Sequence, residues 1–332
     1  MTKSYVKQRV SFDSEGSVIA GVLYVPDGEA GNWPCVVMAH GFSGTMDWIV
    51  PDFADRFADG GLAVLIFDYR CSGESEGEPR QWIDAGRQRD DLRHALEFVR
   101  SRRDIDANRI ALWGTSLGGS HVVQVAAEDS RIAAVVANVP GLDLVAGLRG
   151  RHRPPGARSS PWQIVMATGN LLGAAILDAV RGVVGLPPHY IAIYGRAGRA
   201  VFSDPTLAPL FRNVEQNAPS WRNQVAPRFF FHVPRYREGT IERITAPLMV
   251  TVARDDEVIS TAFVVEKASR ARRHEIREYP VRHFDMYHGA VRDQVAADQL
   301  AFLQHHLGSG FCDNQSAHGH SATDGGPRSP SA

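Results

Sequence analysis

Short apolar runs without polar interruption recur along the chain, and they predict strands that are covered on both faces, as in a parallel sheet. Five runs of this kind are Cys35–Ala39, Leu62–Phe67, Ile110–Trp113, Ile132–Val136 and Leu248–Val252. Val18–Val25 is interpreted as an early strand and Glu275–Tyr279 as a short late one.

Helical periodicity lies between these runs. Leu92, Leu96 and Val99 form one apolar stripe with Asp91 off it. A second stripe near the end consists of Ala296, Leu300, Leu303 and Leu307. Strands that alternate with amphipathic helices imply right-handed crossovers and an α/β, doubly wound, mostly parallel sheet. Ligands bind such sheets beyond the carboxyl ends of the strands, so candidate chemistry is expected there.

The alternation stops between Pro140 and about Gly239. This segment is rich in Gly, Pro and Arg, and its aromatic residues include Trp162, Tyr190, Tyr194, Phe202, Phe211, Trp221 and Phe229–Phe231. We interpret it as a mostly helical cap inserted after the sixth strand. The predicted division is core 1–140, cap 141–239 and core 240–308. Residues 309–332 have almost no apolar side chains and are expected to form a disordered tail.

Composition excludes several classes of partner. The 332 residues suit one core domain with an insertion, and 36 basic against 37 acidic residues leave no excess charge to favour nucleic acid. Three distant cysteines indicate neither a disulfide framework nor a zinc site. Residues 1–10 lack the apolar stretch of a secretory signal, so a cytoplasmic location is expected.

The longest apolar region is Ile164–Leu186, which contains Asn170, Asp178 and Arg181. Charges inside a membrane span are costly. We therefore interpret this region as cap helices and expect no membrane partner, while a homo-oligomer is left open.

The pentapeptide Gly114–Gly118 has the pattern G-x-S-x-G, between the predicted strand Ile110–Trp113 and a helical stretch, Leu117–Ala127. A serine on such a tight strand-to-helix turn adopts strained backbone angles, and side chains two residues away would collide with it or with neighbouring strands. Glycine at both positions removes the clash, and the helix N-terminus favours developing negative charge. Ser116 is therefore the predicted nucleophile.

The stretch His40–Gly44 ends another apolar strand in a glycine-containing turn. Such a turn can aim a backbone N–H at a substrate carbonyl, so the N–H groups of Phe42 and Leu117 are the predicted oxyanion hole. One such donor contributes about 3 kcal/mol to the transition state. His40 precedes the serine, whereas the base comes last in chain order in folds with this motif, so His40 is expected to brace the turn.

Three carboxylates, Asp255, Asp256 and Glu257, follow the predicted strand Leu248–Val252 and compete for the role of the acid that orients a catalytic base. Asp256 is preferred because Asp-x-apolar-x-(Pro or small) is the usual signature of the acid at this place, and Val258 and Ser260 satisfy it after Asp256. Asp255 would then face solvent or cap the next helix.

His283 is the predicted base, because it follows the late strand and completes the order Ser, Asp, His. Of its neighbours, His274 opens the strand at the opposite end of the sheet and His288 lies near the start of the last helix. A serine hydroxyl needs an imidazole to take its proton, and the imidazole needs a carboxylate to fix its tautomer. All three groups fall at predicted carboxyl ends of strands.

Asp68 and Arg70 follow the strand Leu62–Phe67 near the predicted site. They could order the site loops or contact substrate, but a buried structural pair is the preferred interpretation.

Four stretches resemble the α/β-hydrolase superfamily: HGFSG at 40–44, residues 67–80, ALWGTSLGG at 111–119 and YPVRHFD at 279–285. They are most similar to the dienelactone-hydrolase-like and X-Pro-dipeptidyl-peptidase-like branch, including fungal polyketide transferases. The resemblance implies hydrolysis or transfer of an acyl group through an acyl-serine, without cofactor or metal, by Ser116, Asp256 and His283 with the backbone N–H groups of Phe42 and Leu117. Two features depart from the family: Ser260 stands where proline is frequent, and the arginine-rich stretch Arg149–Arg158 matches no family pattern.

The sequence favours a serine hydrolase that cleaves an ester or other acyl bond of a small to medium, partly apolar substrate. An acyltransferase or thioesterase of polyketide metabolism would use the same triad with another acceptor than water, and the sequence does not separate the two. A non-catalytic ligand-binding relative is the third hypothesis, but it would be expected to lack a triad member.

Overall fold

The computed structural model describes residues 4–28, 31–152 and 160–308. Its strands are β1 Tyr5–Ser14, β2 Ser17–Pro26, β3 Trp33–Ala39, β4 Ala63–Phe67, β5 Ile105–Thr115, β6 Ala134–Asn138, β7 Ala192–Tyr194, β8 Ala200–Phe202, β9 Leu248–Ala253 and β10 His274–Tyr279. Its α-helices are α1 Val50–Asp59, α2 Ala85–Ser101, α3 Leu117–Ala126, α4 Leu144–Gly150, α5 Pro161–Val183, α6 Ala208–Asn217, α7 Thr261–Ala268 and α8 Gly289–Leu307. Short 3₁₀ helices occupy Pro205–Leu207, Pro227–Phe231, Ile241–Arg243 and Phe284–Tyr287.

Eight strands form the central sheet in the order β1-β2-β4-β3-β5-β6-β9-β10. The first two pairings, β1 with β2 and β2 with β4, are antiparallel, and the others are parallel. This confirms the predicted doubly wound, mostly parallel sheet. Each apolar run that predicted a strand overlaps one, although Leu62 precedes β4 and Ile132 and Ala133 precede β6.

The apolar pattern did not predict β1. It is an edge strand with a single neighbour, so most of its side chains are exposed and its sequence is polar around Lys7, Gln8 and Arg9. The turn to β2 consists of Glu15 and Gly16, with φ of 50° and 81°. Positive φ at both positions is typical of a type I′ hairpin, for which glycine at the second position was the available signal.

Alternate residues of the central strands pack on opposite faces of the sheet. Trp113 and Met38 belong to one apolar layer, with side chains of α1 and α8. Leu112 and Val37 belong to the other, with side chains of α2, α3 and α7. The predicted stripes on α2 and α8 are buried in these layers. All the parallel strands therefore present their carboxyl ends at one edge, where the loops of the candidate site lie.

The segment between β6 and β9 contains α4, α5 and α6, and also a parallel pair, β7 and β8, which was not predicted. The apolar region expected to form several helices is the single helix α5, begun by Pro161 and a capping box between Ser160 and Gln163. Among the described residues it is the helix long and apolar enough to cross a membrane, by length and composition only. The division at residues 140 and 239 stays a prediction, and the predicted tail 309–332 lies outside the described residues.

Candidate active site

Ser116 lies on the turn between β5 and α3, with φ of 53° and ψ of −116°, a strained conformation for a non-glycine residue. A Cβ at Gly118 would lie 2.1 Å from the backbone oxygen of Ala39, and one at Gly114 would lie 2.3 Å from that of Gly118. The neighbouring backbone thus requires both glycines. The Ser116 N–H donates to the backbone oxygen of Asn138 at 2.9 Å, which fixes the turn against β6.

His283 and Asp256 form a buried hydrogen-bonded pair. The Nδ1 atom of His283 lies 2.7 Å from Oδ2 of Asp256, and both side chains are 2% exposed. The other carboxylate oxygen accepts the backbone N–H groups of Val258 and Ile259 at 2.8 and 2.7 Å. A carboxylate acceptor requires the proton on Nδ1, which leaves Nε2 as the basic nitrogen.

The two competing carboxylates are held differently. Asp255 is half-buried, and Ser260 rather than Asp255 caps α7, by accepting the N–H of Phe263 at 3.3 Å. The Glu257 oxygens are buried without a hydrogen-bond partner among the described residues. Burial raises the pKa of Glu257, and its nearest cation is Arg282 at 3.9 Å. Asp256 is thus the one of the three whose carboxylate bonds His283.

Ser116 and His283 lie at the same edge of the sheet, beyond β5 and β10. No hydrogen bond joins Ser116 Oγ to His283 Nε2 within the described ranges, however. The two residues are connected through their neighbours: Thr115 Oγ1 lies 2.8 Å from the Tyr287 hydroxyl, and the Tyr287 ring lies 5.9 Å from the His283 ring. Proton transfer needs an approach of about 3 Å, and such catalytic contacts are often longer before substrate binds.

The glycine turn after β3 lies directly against the serine, because a Cβ at Gly41 would come 3.2 Å from Ser116 Cβ. Leu117 is the first residue of α3, so its backbone N–H group has no acceptor within the helix. Within the described part of the chain, the N–H of Phe42 likewise donates to no protein oxygen. Both N–H groups are therefore available to a ligand oxygen.

His40 is buried at the start of the same turn. Its Nδ1 lies 3.1 Å from the backbone oxygen of Gly41, and its ring packs 4.5 Å from the Tyr69 ring. Burial lowers the pKa of His40 to about 4, so the imidazole is neutral near pH 7. This is the bracing position expected from the sequence.

Aromatic side chains of the cap segment contact both sides of the site. Phe229 packs 4.8 Å from Phe42 of the glycine turn, and Phe202 packs 5.5 Å from Phe284, which follows His283. Phe211 lies 6.3 Å from the same Phe284 ring. The segment between β6 and β9 therefore supplies an apolar wall beside the candidate catalytic groups.

Sequence reasoning missed a buried polar network beneath the site. Gln299 of α8 accepts the Trp113 indole N–H at 2.8 Å and donates to Asn138 and Thr251 at 3.2 and 3.1 Å. Asn138 in turn donates to Thr115, next to the nucleophile candidate, at 3.1 Å. In the sequence, this network could have been recognised from the polar residues at positions 138, 251 and 299, each of which lies inside or at the end of an otherwise apolar run.

The expected pairing of Asp68 with Arg70 is wrong. Both are buried, but the Arg70 Nε donates to Asp91 at 2.6 Å, a residue placed off the buried stripe of α2. Asp68 instead accepts the backbone N–H groups of Met46 and Glu74 at 2.7 and 2.8 Å. The Asp68 carboxylate therefore links the loops that contain Met46 and Glu74, and the Asp91 carboxylate links α2 to the loop after β4.

Comparison with known proteins agrees with this architecture. The family described as serine aminopeptidase, S33, matches residues 33–294. The quorum-quenching protein AidA of Acinetobacter baumannii (strain MDR-ZJ06) is 35% identical over 297 residues, covering 89% of this chain and 93% of its own. The polyketide transferase ATR5 of Stachybotrys chlorohalonatus (strain IBT 40285) is 28% identical over 264 residues, 78% of this chain and 81% of its own.

A solved structure shares the fold. The α/β hydrolase GrgF from Penicillium sp. sh18 superposes with a TM-score of 0.73 at 24% identity, covering 91% of this chain and 99% of that one. With the family match over most of the chain, these similarities show that the protein belongs to the serine aminopeptidase S33 family of α/β-hydrolase enzymes.

Proposed function

We propose that the protein is a serine hydrolase that cleaves an ester or other acyl bond of a small to medium, partly apolar substrate through an acyl-serine intermediate. Ser116 is the nucleophile, His283 the general base and Asp256 the acid that orients it. The observation that carries the proposal is the buried 2.7 Å bond between His283 and Asp256, at the sheet edge that also holds the strained Ser116.

In the first half-reaction, His283 Nε2 takes the hydroxyl proton of Ser116 as Oγ attacks the substrate carbonyl carbon. The carbonyl oxygen becomes an oxyanion, and the N–H groups of Phe42 and Leu117 donate hydrogen bonds to it. When the tetrahedral intermediate collapses, the bond to the leaving group breaks and the leaving group takes the proton from Nε2. Asp256 stabilises the imidazolium throughout.

In the second half-reaction, water loses a proton to His283 Nε2 and attacks the acyl carbon. Collapse of the second tetrahedral intermediate breaks the ester bond to Ser116 Oγ, which regains the proton. The free acid leaves, and the enzyme returns to its starting state. The aromatic wall around Phe202 and Phe229 suits an acyl chain that is at least partly apolar.

Acyl transfer is the second candidate, because a relative that aligns with most of the chain is named a polyketide transferase. The steps to the acyl-enzyme are the same in this case. An alcohol or amine then replaces water as the group that attacks the acyl carbon, so the candidates differ in product alone.

Product analysis tests both candidates. The purified enzyme would be incubated with p-nitrophenyl esters of rising chain length and with acyl thioesters, with and without an added alcohol or amine. Hydrolysis predicts free acid in buffer alone, and transfer predicts a new ester or amide when the acceptor is present. If Ser116→Ala released product from every compound as fast as the wild type, the proposed chemistry would be wrong.

A further inference from the structure

The cap helix α5 turns a broad apolar face outward. Trp162 is 70% exposed and Val183 is 88% exposed, and the large side chains between them on this face are 47–58% exposed. The face follows the helical repeat along residues Trp162, Val165, Met166, Gly169, Leu172, Gly173, Ile176, Leu177, Val180 and Val183. An apolar patch of this extent marks an interaction surface, because isolated soluble proteins rarely expose one.

In the C-terminal half of α5, the opposite face attaches the helix to the rest of the protein, whereas Ile164 on the same side of the N-terminal half is 55% exposed. Leu171, Ala174 and Ala175 face inward, and the carboxylate of Asp178 is fully buried. That carboxylate accepts two hydrogen bonds from the Arg228 guanidinium, at 2.7 and 2.9 Å. Because Asp178 points inward, the outward face carries no charge over its whole length.

We propose that this face is the contact between two copies of the chain, which pair through their α5 helices in a two-fold symmetric dimer. Eight large side chains, between 47% and 88% exposed, offer roughly 800 Å² of apolar surface per copy, which is about what a stable interface buries on each partner. A two-fold contact presents the same surface on both sides, so an uncharged face meets itself without like-charge repulsion.

Two glycines in the middle of the face favour a second helix over a lipid surface as the occupant. Gly169 and Gly173 lie one turn apart, and a Cβ at either would meet no atom within 4 Å. Each glycine lowers the stability of a helix by about 1 kcal/mol relative to alanine. The two glycines leave a depression in the helix surface, and contact with lipid would not offset their cost. A second helix would offset it, because small residues where two helices cross let the two backbones approach closely.

The surroundings of the face form a polar rim. A Cβ at Gly198 would lie 3.1 Å from Ala167 Cα, so the turn that carries Arg196 and Arg199 packs along the side of α5. Both arginines are exposed, and neither forms an ion pair with a described residue. A charged rim around an apolar centre is the usual anatomy of a protein interface, in which arginine is enriched.

The dimer contact would also bear on the candidate site. Asp178 of α5 holds Arg228 of the 3₁₀ helix Pro227–Phe231, and Phe229 of that helix packs on Phe42 of the oxyanion turn. A partner that fixes α5 therefore fixes the aromatic wall beside the site.

Light scattering after size-exclusion chromatography of the full chain tests the proposal. At micromolar concentration we expect a mass of twice 36.4 kDa. A Cβ at either glycine meets only open space within one copy, so the double variant Gly169→Leu/Gly173→Leu should fold, with a circular dichroism spectrum like that of the wild type. It should dissociate to the monomer, with a dissociation constant at least about 100-fold higher.

Two further variants sharpen the result. Ile176→Glu places a charge on the face without filling the glycine depression, and it should also give a monomer. Ala301→Leu adds the same bulk to an exposed position of α8, and it should remain dimeric. A wild-type monomer, or a double variant that stays dimeric, would overturn the proposal. So would a monomeric wild type that sediments with phosphatidylcholine–phosphatidylglycerol vesicles, because lipid would then be the occupant.

Discussion

Neighbouring residues on one loop have different environments in this protein. Asp255 and Asp256 are adjacent, yet the carboxylate of Asp256 is buried and bonded to His283, while Asp255 is half-buried and caps no helix. The sequence narrowed the acid to three candidates. It preferred Asp256 from the residues that follow it, but the residue that bonds the imidazole depends on which side chain the loop turns inward.

The pair Asp255 and Asp256 offers a matched test of the proposed acid. Asp256→Asn keeps the size of the side chain but loses the charge that fixes the His283 tautomer, so kcat/KM for an activated ester should fall about 10³–10⁴-fold. Asp255→Asn should leave kcat/KM within a factor of about two, because Asp255 does not bond the imidazole. Equal losses in the two variants would remove Asp256 from the proposed triad.

A second residue-scale prediction concerns Asp68. Burial raises its pKa from 3.8 to about 7. In the unfolded chain it ionises near its ordinary value, so from about pH 4 to about pH 7 the unfolded state binds fewer protons than the folded state. The contribution of protonated Asp68 to the free energy of unfolding is therefore complete below about pH 4 and is lost as pH rises through about 7.

Asp68→Asn cannot titrate, so its stability should lack this contribution to the pH dependence. The wild-type free energy of unfolding minus that of the variant should decrease by up to about 4 kcal/mol between pH 4 and pH 8. Urea unfolding of both proteins at several pH values measures this difference. A difference that is constant or increases with pH would contradict the assignment.

At the scale of elements, the interior polar network links four parts of the fold. Gln299 of α8 joins Trp113 of β5, Asn138 of β6 and Thr251 of β9. The pattern of apolar residues predicted the helix and the three strands, because buried strands must be apolar on both faces. It could not reveal the network, since which polar residues meet depends on the strand order and on the rotation of α8.

Gln299→Leu should therefore be costly despite its similar volume. It leaves the buried indole N–H of Trp113 without a partner and removes one of the hydrogen bonds made by each of Asn138 and Thr251, which should lower the free energy of unfolding by about 3 kcal/mol. Gln294→Leu is the control, because Gln294 is exposed on the same helix and should change stability by less than about 0.5 kcal/mol. Urea unfolding would measure both, and similar small losses would show that the network is not important for stability.

The elements that sequence reasoning missed have common physical causes. β1 lies at the sheet edge, where exposure weakens the apolar pattern, and β7 and β8 are only three residues long. On α5, the charges of Asp178 and Arg181 favoured a cap helix over a membrane span, but the inward turn of Asp178 could not be foreseen. The apolar outward face of that helix therefore became apparent only in the structure.

At the scale of the whole molecule, the α/β-hydrolase fold brings distant segments to one edge. The glycine turn after β3, the elbow after β5, and the loops after β9 and β10 all meet there because their strands are parallel. This follows from topology, so the sequence could predict the general location of the site. The distance between Ser116 and His283 depends on loop conformations that apolar patterns do not encode.

Covalent labelling is the sharpest test of whether Ser116 is an activated nucleophile. The protein would be treated with a fluorophosphonate, and intact mass and peptide mapping would locate the adduct. We predict one adduct, on the peptide that contains Ser116, and none on Ser116→Ala with an unchanged circular dichroism spectrum. Labelling that persists in that variant, or an adduct mapped to another residue, would show that Ser116 is not the nucleophile.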